Sequence, residues 1–177
     1  MVIKKIMKSF FYSMIFIGFF LLFFPMKNLY FLLEKKLETQ HIVLDGEQYS
    51  QKLYTFNIEK SNLYYNNALY AEIKNIDFIY LVFYNQLDFK NLELKKDFFQ
   101  LPPMQIDFIK LNYNILSVTT IGISAKGEFG ILEGNINLFS QEINLFLKPS
   151  SWIKNKAGRV LQNMKEKEGI YSYVYKY

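Results

Sequence analysis

Ile121–Pro149 reads IGISAKGEFGILEGNINLFSQEINLFLKP, and the periodicity of this stretch decides the fold class. Ile121 and Ile123 alternate with glycine and serine, the two-residue period of a strand whose side chains point to opposite faces in turn. Gly127, Gly130 and Gly134 then follow at spacings of three and four residues, which in strand context predicts tight hairpins and bulges. Neither a phosphate loop nor the dinucleotide fingerprint fits these glycines. Asn135–Leu138 and Glu142–Leu147 form a further predicted hairpin that stops at Pro149.

The same period extends upstream. Ile42 and Leu44 lead to an Asp45-Gly46 turn signal, Tyr54, Phe56 and Ile58 alternate with Leu53, Thr55, Asn57 and Glu59, and Leu63 and Tyr65 precede Asn66-Asn67. Ile76–Tyr84 is nearly all apolar and predicts one strand covered on both faces or meeting another surface. Leu87, Phe89, Leu92 and Leu94 continue the rhythm until Pro102-Pro103 breaks the chain. Beyond it Ile106, Phe108, Leu111 and Tyr113 slip phase at Ile109-Lys110, where a bulge is expected.

Downstream, Ser150 or Ser151 is placed to cap one helix with Ile153, Ala157, Val160, Leu161 and Met164 on its apolar face, ended by Gly169. In the tail, Tyr171, Tyr173, Tyr175 and Tyr177 occupy alternate positions and fall on one face of a last strand.

The beginning of the chain differs from all of this. Ser9–Met26 is uncharged and aromatic-rich, preceded by Lys4, Lys5 and Lys8 and followed by Lys27. As a helix it would be roughly 27 Å long, enough for a thin hydrocarbon core. A cleaved signal peptide and a buried core helix compete with a retained anchor. The run lacks a small-residue cleavage site and has no polar face, so the anchor is preferred. Lysines ahead of the span place the N-terminus in the cytoplasm. After Pro25, Leu29, Tyr30, Leu32, Leu33 and Leu37 recur at helical spacing.

The expected organisation is a cytoplasmic N-terminus over 1–8, a transmembrane anchor over 9–26, a juxtamembrane amphipathic helix over 27–40 and a periplasmic β-rich domain over 41–177. The expected fold is mainly β: a transmembrane helix, an amphipathic stalk helix, then a curved antiparallel sheet forming a half-barrel or sandwich, with one helix before the last strand. The corresponding location is the inner membrane, single-pass.

Composition narrows the function. The formal charge is +5, three of those charges are lysines before Met26, and the remainder therefore carries only +2. No clustered basic patch is left to argue for direct nucleic-acid binding. Without cysteine there are no disulfides, thiolate metal sites or cysteine nucleophiles. His41 is the only histidine and lies between the amphipathic helix and the first strand, so a serine triad or a histidine-based metal site has little to draw on. Glu128 and Glu133 flank the glycine-rich hairpin, while Asp77, Asp88 and Asp107 alternate with apolar neighbours, and alternating acids read as the wet face of a sheet. No cofactor, metal or catalytic residue is expected.

Two segments carry a family resemblance. Ile123–Gly130 followed by Glu133–Leu138, then Leu147-Lys148-Pro149-Ser150, a helix, and Glu168-Gly169-Ile170-Tyr171-Ser172-Tyr173, resembles the type II secretion system protein N family. The spacing from Leu63-Tyr64-Tyr65 to Tyr84-Asn85 is similar too. This resemblance implies a non-enzymatic inner-membrane protein with a curved β-sheet, related in style to AsmA-type and lipopolysaccharide-bridge domains. It implies partners among secretion, pilus or competence subunits, for which the chain would be a scaffold or assembly factor. The alternative it allows is binding or transfer of lipid or lipopolysaccharide. Candidate contact residues for a partner or lipid are Phe78, Tyr80, Val82 and Tyr84, Phe129 and Ile131, and Tyr171, Tyr173, Tyr175 and Tyr177.

Overall fold

A computed structural model describes residues 2–22, 25–45, 48–81, 83–96 and 101–177. Its centre is one open antiparallel sheet of eleven strands. The strands are β1 (Ile42–Asp45), β2 (Gln48–Gln51), β3 (Thr55–Tyr65), β4 (Ala68–Tyr80), β5 (Tyr84–Leu94), β6 (Met104–Asn114), β7 (Thr120–Gly127), β8 (Gly130–Asn137), β9 (Glu142–Pro149), β10 (Lys165–Lys167) and β11 (Ile170–Lys176). From β3 to β9 each strand pairs with the next in sequence; β11 then pairs with β9 and β10 closes that edge. At the other edge β3 is long enough to take two partners, β1 along Asn62–Tyr65 and β2 along Phe56–Glu59.

Turn chemistry explains the meander. Asn66 and Asn67 both adopt positive φ (49° and 62°) in the two-residue β3–β4 turn, a geometry asparagine tolerates better than other non-glycine residues. Gly130 opens β8 at φ 117°, and glycine alone enters that region without strain. Departures from regular pairing run across the middle of the sheet. Lys60 in β3 and Asn91 in β5 have positive φ, and the β6–β7 register shifts between Ile106 and Phe108. The expected bulge therefore exists, but it falls around Asp107, ahead of Ile109-Lys110.

Among the described residues four α-helices accompany the sheet: α1 (Val2–Leu22), α2 (Met26–Glu38), α3 (Ser151–Lys156) and α4 (Gly158–Gln162). Ser150 caps α3, its hydroxyl accepting from the Ile153 amide at 3.3 Å.

The N-terminal expectation is overturned. Among the described residues no helix is long and apolar enough to cross a membrane, which removes the transmembrane anchor over 9–26 and the single-pass inner-membrane location. The reason is visible in the helix bounds. Lys4, Lys5 and Lys8 lie inside α1 and α2 begins anew at Met26, so the uncharged part of α1 is only about 14 residues, or roughly 21 Å against a core of about 30 Å. Phe23 and Phe24, within the expected span, lie outside the described residues.

Other differences are local. The sandwich is replaced by a single sheet. The apolar run Ile76–Tyr84 is not one strand; it ends β4, turns, and starts β5. The single C-terminal helix is two short ones divided at Ala157, and Gly169, read as its terminator, sits at φ 78° in the turn of the β10–β11 hairpin. Gly46 of the expected Asp45-Gly46 turn is outside the described residues.

Candidate functional site

Strand register puts the apolar residues of neighbouring strands side by side. Phe56 pairs with Phe78, Phe78 with Leu87 and Leu87 with Leu111. Leu111 continues to Ile123, while Ala125 pairs with Leu132, Leu132 with Leu147 and Leu147 with Tyr171. Side chains alternate along every strand, so these rows form one apolar face crossing the sheet from β3 to β11. Both ends of the chain supply cover for that face. Met26 and Tyr30 of α2 are buried in one cluster with Phe56, Ile58, Ile73, Ile76 and Tyr80. Ile153, Ala157 and Leu161 of α3 and α4 are buried in a second with Met104, Ile106, Ala125, Phe129 and Leu147. The Tyr30 ring packs on Phe56 at 5.6 Å between centroids.

Neither helical cover fills the space beneath it. Under α2 lies a cavity of about 410 Å³, walled from the helix by Leu29, Leu33 and Leu37 and from the sheet by Ile58, Phe78 and Phe89. Under α3 and α4 lies another of about 450 Å³, walled by Met104, Leu132, Leu145, Val160, Met164 and Tyr173. Both volumes fall in the range of about 300–1,000 Å³ that small ligands occupy. Among its described wall residues the first cavity has the Tyr30 hydroxyl as its one polar side-chain group, and the second has Asn163 and the Tyr173 hydroxyl. Such walls reward apolar surface and offer almost nothing to orient a polar substrate.

The opposite face is polar. Asn57, Asp77, Asp88, Lys110, Ser124 and Glu133 follow one another across six strands in register. Lys90 Nζ donates to Asp77 Oδ2 at 2.7 Å, and Asn57 also donates to that carboxylate's Oδ1. Partial burial pushes the Asp77 carboxyl up, but the hydrogen bonds from Lys90 and Asn57 and the Lys90 charge outweigh it and hold the carboxyl below its usual range. The hydrogen bond to Asp77 correspondingly raises Lys90 despite a small opposing effect of burial. Asp77 thus contributes stability above the unfolded carboxyl value of about 3.9, and this is lost as pH falls through its lower folded value. Because the pair is half exposed, the expected loss is about 0.5 kcal/mol. Denaturant titrations between pH 5 and pH 2 (about the range spanned) measure it, and Asp77→Asn should flatten that part of the curve.

Asp88 is buried, with Oδ2 accepting from Gln86 Nε2 at 2.7 Å, and Tyr84 donates its hydroxyl to Gln86 Oε1. Glu128 Oε2 accepts from the Gln105 amide at 2.6 Å, a structural tie between the β7–β8 turn and β6. His41 is exposed in the turn between α2 and β1 at φ 62°. Among the described residues no three metal-binding side chains of the His, Cys, Asp or Glu type converge.

The ten expected contact residues are divided by this geometry. Phe78 lines the first cavity, and Tyr80 is buried at its edge, donating its hydroxyl to the Lys52 carbonyl at 3.2 Å. Phe129 and Tyr173 line the second cavity, Tyr171 packs against the same cluster, and Tyr175 and the exposed Tyr177 continue beyond. Tyr84 and Ile131 belong to the opposite, polar face, and Val82 lies outside the described residues. The helix residues that complete each cavity were visible in the sequence as apolar stripes. Their arrival over the same sheet face was not, because it depends on pairing between distant strands. No protein-family model, curated protein or solved structure matches this chain.

Proposed function

We propose that the chain binds the apolar portion of a lipid along the inner face of a curved sheet, without catalysing a reaction. The observation that carries this reading is the pair of hydrophobic cavities, each roofed by a separate helical cover over one continuous apolar face. Burial of an acyl chain there gains about 0.8 kcal/mol per methylene. The AsmA-like resemblance is in keeping with it. Native mass spectrometry of the full chain, purified in a detergent that is then exchanged, tests the reading. A stoichiometric adduct of lipid mass is expected, and a bare chain mass under the gentlest conditions removes it.

A second reading, a scaffold or assembly factor of a type II secretion-like, pilus or competence machine, has its own support. Ile131, Phe146 and Val174 form an exposed diagonal on the otherwise polar face near the β11 edge, a place for a partner subunit. A photocrosslinker at Phe146 that captures no such subunit in cells removes that reading.

A further inference from the structure

The antiparallel meander sends alternate turns to the same end of the sheet. At one end lie the β2–β3, β4–β5, β6–β7 and β8–β9 turns and the chain terminus, tied there by the Tyr177 amide donating to the Gln141 carbonyl. Turns are ordinarily polar, yet these present large apolar side chains to solvent. Leu116 is 88 % exposed, Phe139 86 % and Phe83 67 %, with Leu53, Val118 and Tyr177 also exposed. The opposite end presents Asn66, Asn67, Lys95, Lys96 and Glu168 in its described turns, with Pro103 exposed beside them and Tyr65 and Ile170 exposed to a smaller extent than the rim residues. Among the described residues the strongly exposed apolar turn side chains gather at the first end, and such a rim is a surface with an occupant.

We propose that this rim docks on a lipid bilayer surface, the turns dipping into the interfacial layer with no segment having to cross it. Three observations select a bilayer over a protein. The apolar groups stand on separate tips at one level, which suits a deformable layer better than a fixed complementary relief. Residues 52–54, 81–83, 115–119 and 138–141 contain no acid, and Lys52 is among them, so these turns bring no acidic side chain to anionic headgroups. α2 also starts at this end: Met26, after Pro25, is buried with Phe56 and Tyr80. The described part of α1 exposes apolar residues from Ile6 to Phe20 on all sides, beside Lys4, Lys5 and Lys8. This inference extends the lipid-binding reading, because Tyr113, Ile121, Ile143 and Tyr175 pair in rows on the apolar face just above the rim and join it to the second cavity.

The chain lacks cysteine, so single labels are unambiguous. The full chain carrying Leu116→Cys, Phe139→Cys or Asn67→Cys is coupled to an environment-sensitive dye and mixed with vesicles of equal parts phosphatidylcholine and phosphatidylglycerol. The dyes at 116 and 139 are expected to shift to the blue and become shielded from aqueous iodide, while the dye at 67 stays accessible. The Leu116→Asp, Phe139→Asp double variant should weaken vesicle flotation by about ten-fold or more at unchanged melting temperature. Dyes at 116 and 139 as iodide-accessible as the one at 67, or a double variant that floats like the parent, would overturn the proposal. So would a spectral shift that needs no vesicles and grows with protein concentration, which would assign the rim to a second copy of the chain. A chain that docks but carries no lipid adduct fails only the ligand reading; one that carries lipid while its tips stay wet fails only this one.

Discussion

Gly130→Ala is expected to lose at least about 3 kcal/mol of folding stability, a large part of the total for a single domain. Two effects add at this position. The φ of 117° is strained for any residue with a Cβ. A Cβ built there would also stand 2.2 Å from the Lys148 carbonyl oxygen and 2.8 Å from the Ser150 amide nitrogen. Those atoms are backbone of the β9 end and of the α3 cap, so they cannot swing aside as a long side chain would. Relief requires opening the β8–β9 ladder beside Phe129, whose ring is buried in the second cluster. Urea denaturation followed by circular dichroism measures the loss as a lower midpoint at unchanged slope. Gly158→Ala is the control: its Cβ meets nothing within 4 Å and its φ is not positive, so a change within about 1 kcal/mol is expected there.

Filling a cavity should separate ligand from fold. Leu145 of β9 and Val160 of α4 both line the second cavity, and both are half-buried. The Leu145→Trp, Val160→Trp double variant places two indoles in the space an acyl chain would take. Overpacking is expected to cost about 1–3 kcal/mol, less than most domains can lose. Lipid adduct held in this cavity is expected to fall by about ten-fold or more, the equivalent of two methylenes of contact removed. The matching Leu33→Trp, Leu44→Trp variant addresses the first cavity alone. Quantified native mass spectra of the two variants report which cavity carries the load. Unchanged adduct in both would place the lipid outside the cavities and count against the proposed site.

Much of the sheet was legible from local chemistry. The Asn66-Asn67 turn, the Gly127–Gly134 hairpin and the alternation in β7 to β9 each follow from backbone freedom or side-chain period within a few residues. What sequence could not provide was length in context. Ile76–Tyr84 is apolar throughout, yet β4 stops at Tyr80 because Leu81 and Phe83 serve the turn, where polar residues are the usual sign. The same inversion hid the apolar rim, since Leu116 and Phe139 fall between the expected strands, where apolar side chains carry no turn signal. Ser9–Met26 misled for a related reason: hydrophobicity is additive along a chain, but a membrane span needs an unbroken helix, and α1 ends before Pro25. The candidate site was half legible. Phe78, Phe129, Tyr171 and Tyr173 fall on the apolar face, whereas Tyr84 and Ile131 fall on the polar one because strand phase could not be fixed before the turns were placed.

The near-sequential strand order also sets a timetable for the chain as it is made. From β3 to β9 each newly completed strand already has its partner in place, so the sheet can grow as a zip with small loop-closure costs. Only the last step breaks this rule: β11 must reach back across α3, α4 and β10 to find β9. The cavity under α2 is therefore walled early, by segments that all precede β6. The cavity under α3 and α4 gains its Tyr173 wall only once the final strand has docked. A nascent chain halted before Ile170 would hold one finished cavity and one lacking a wall.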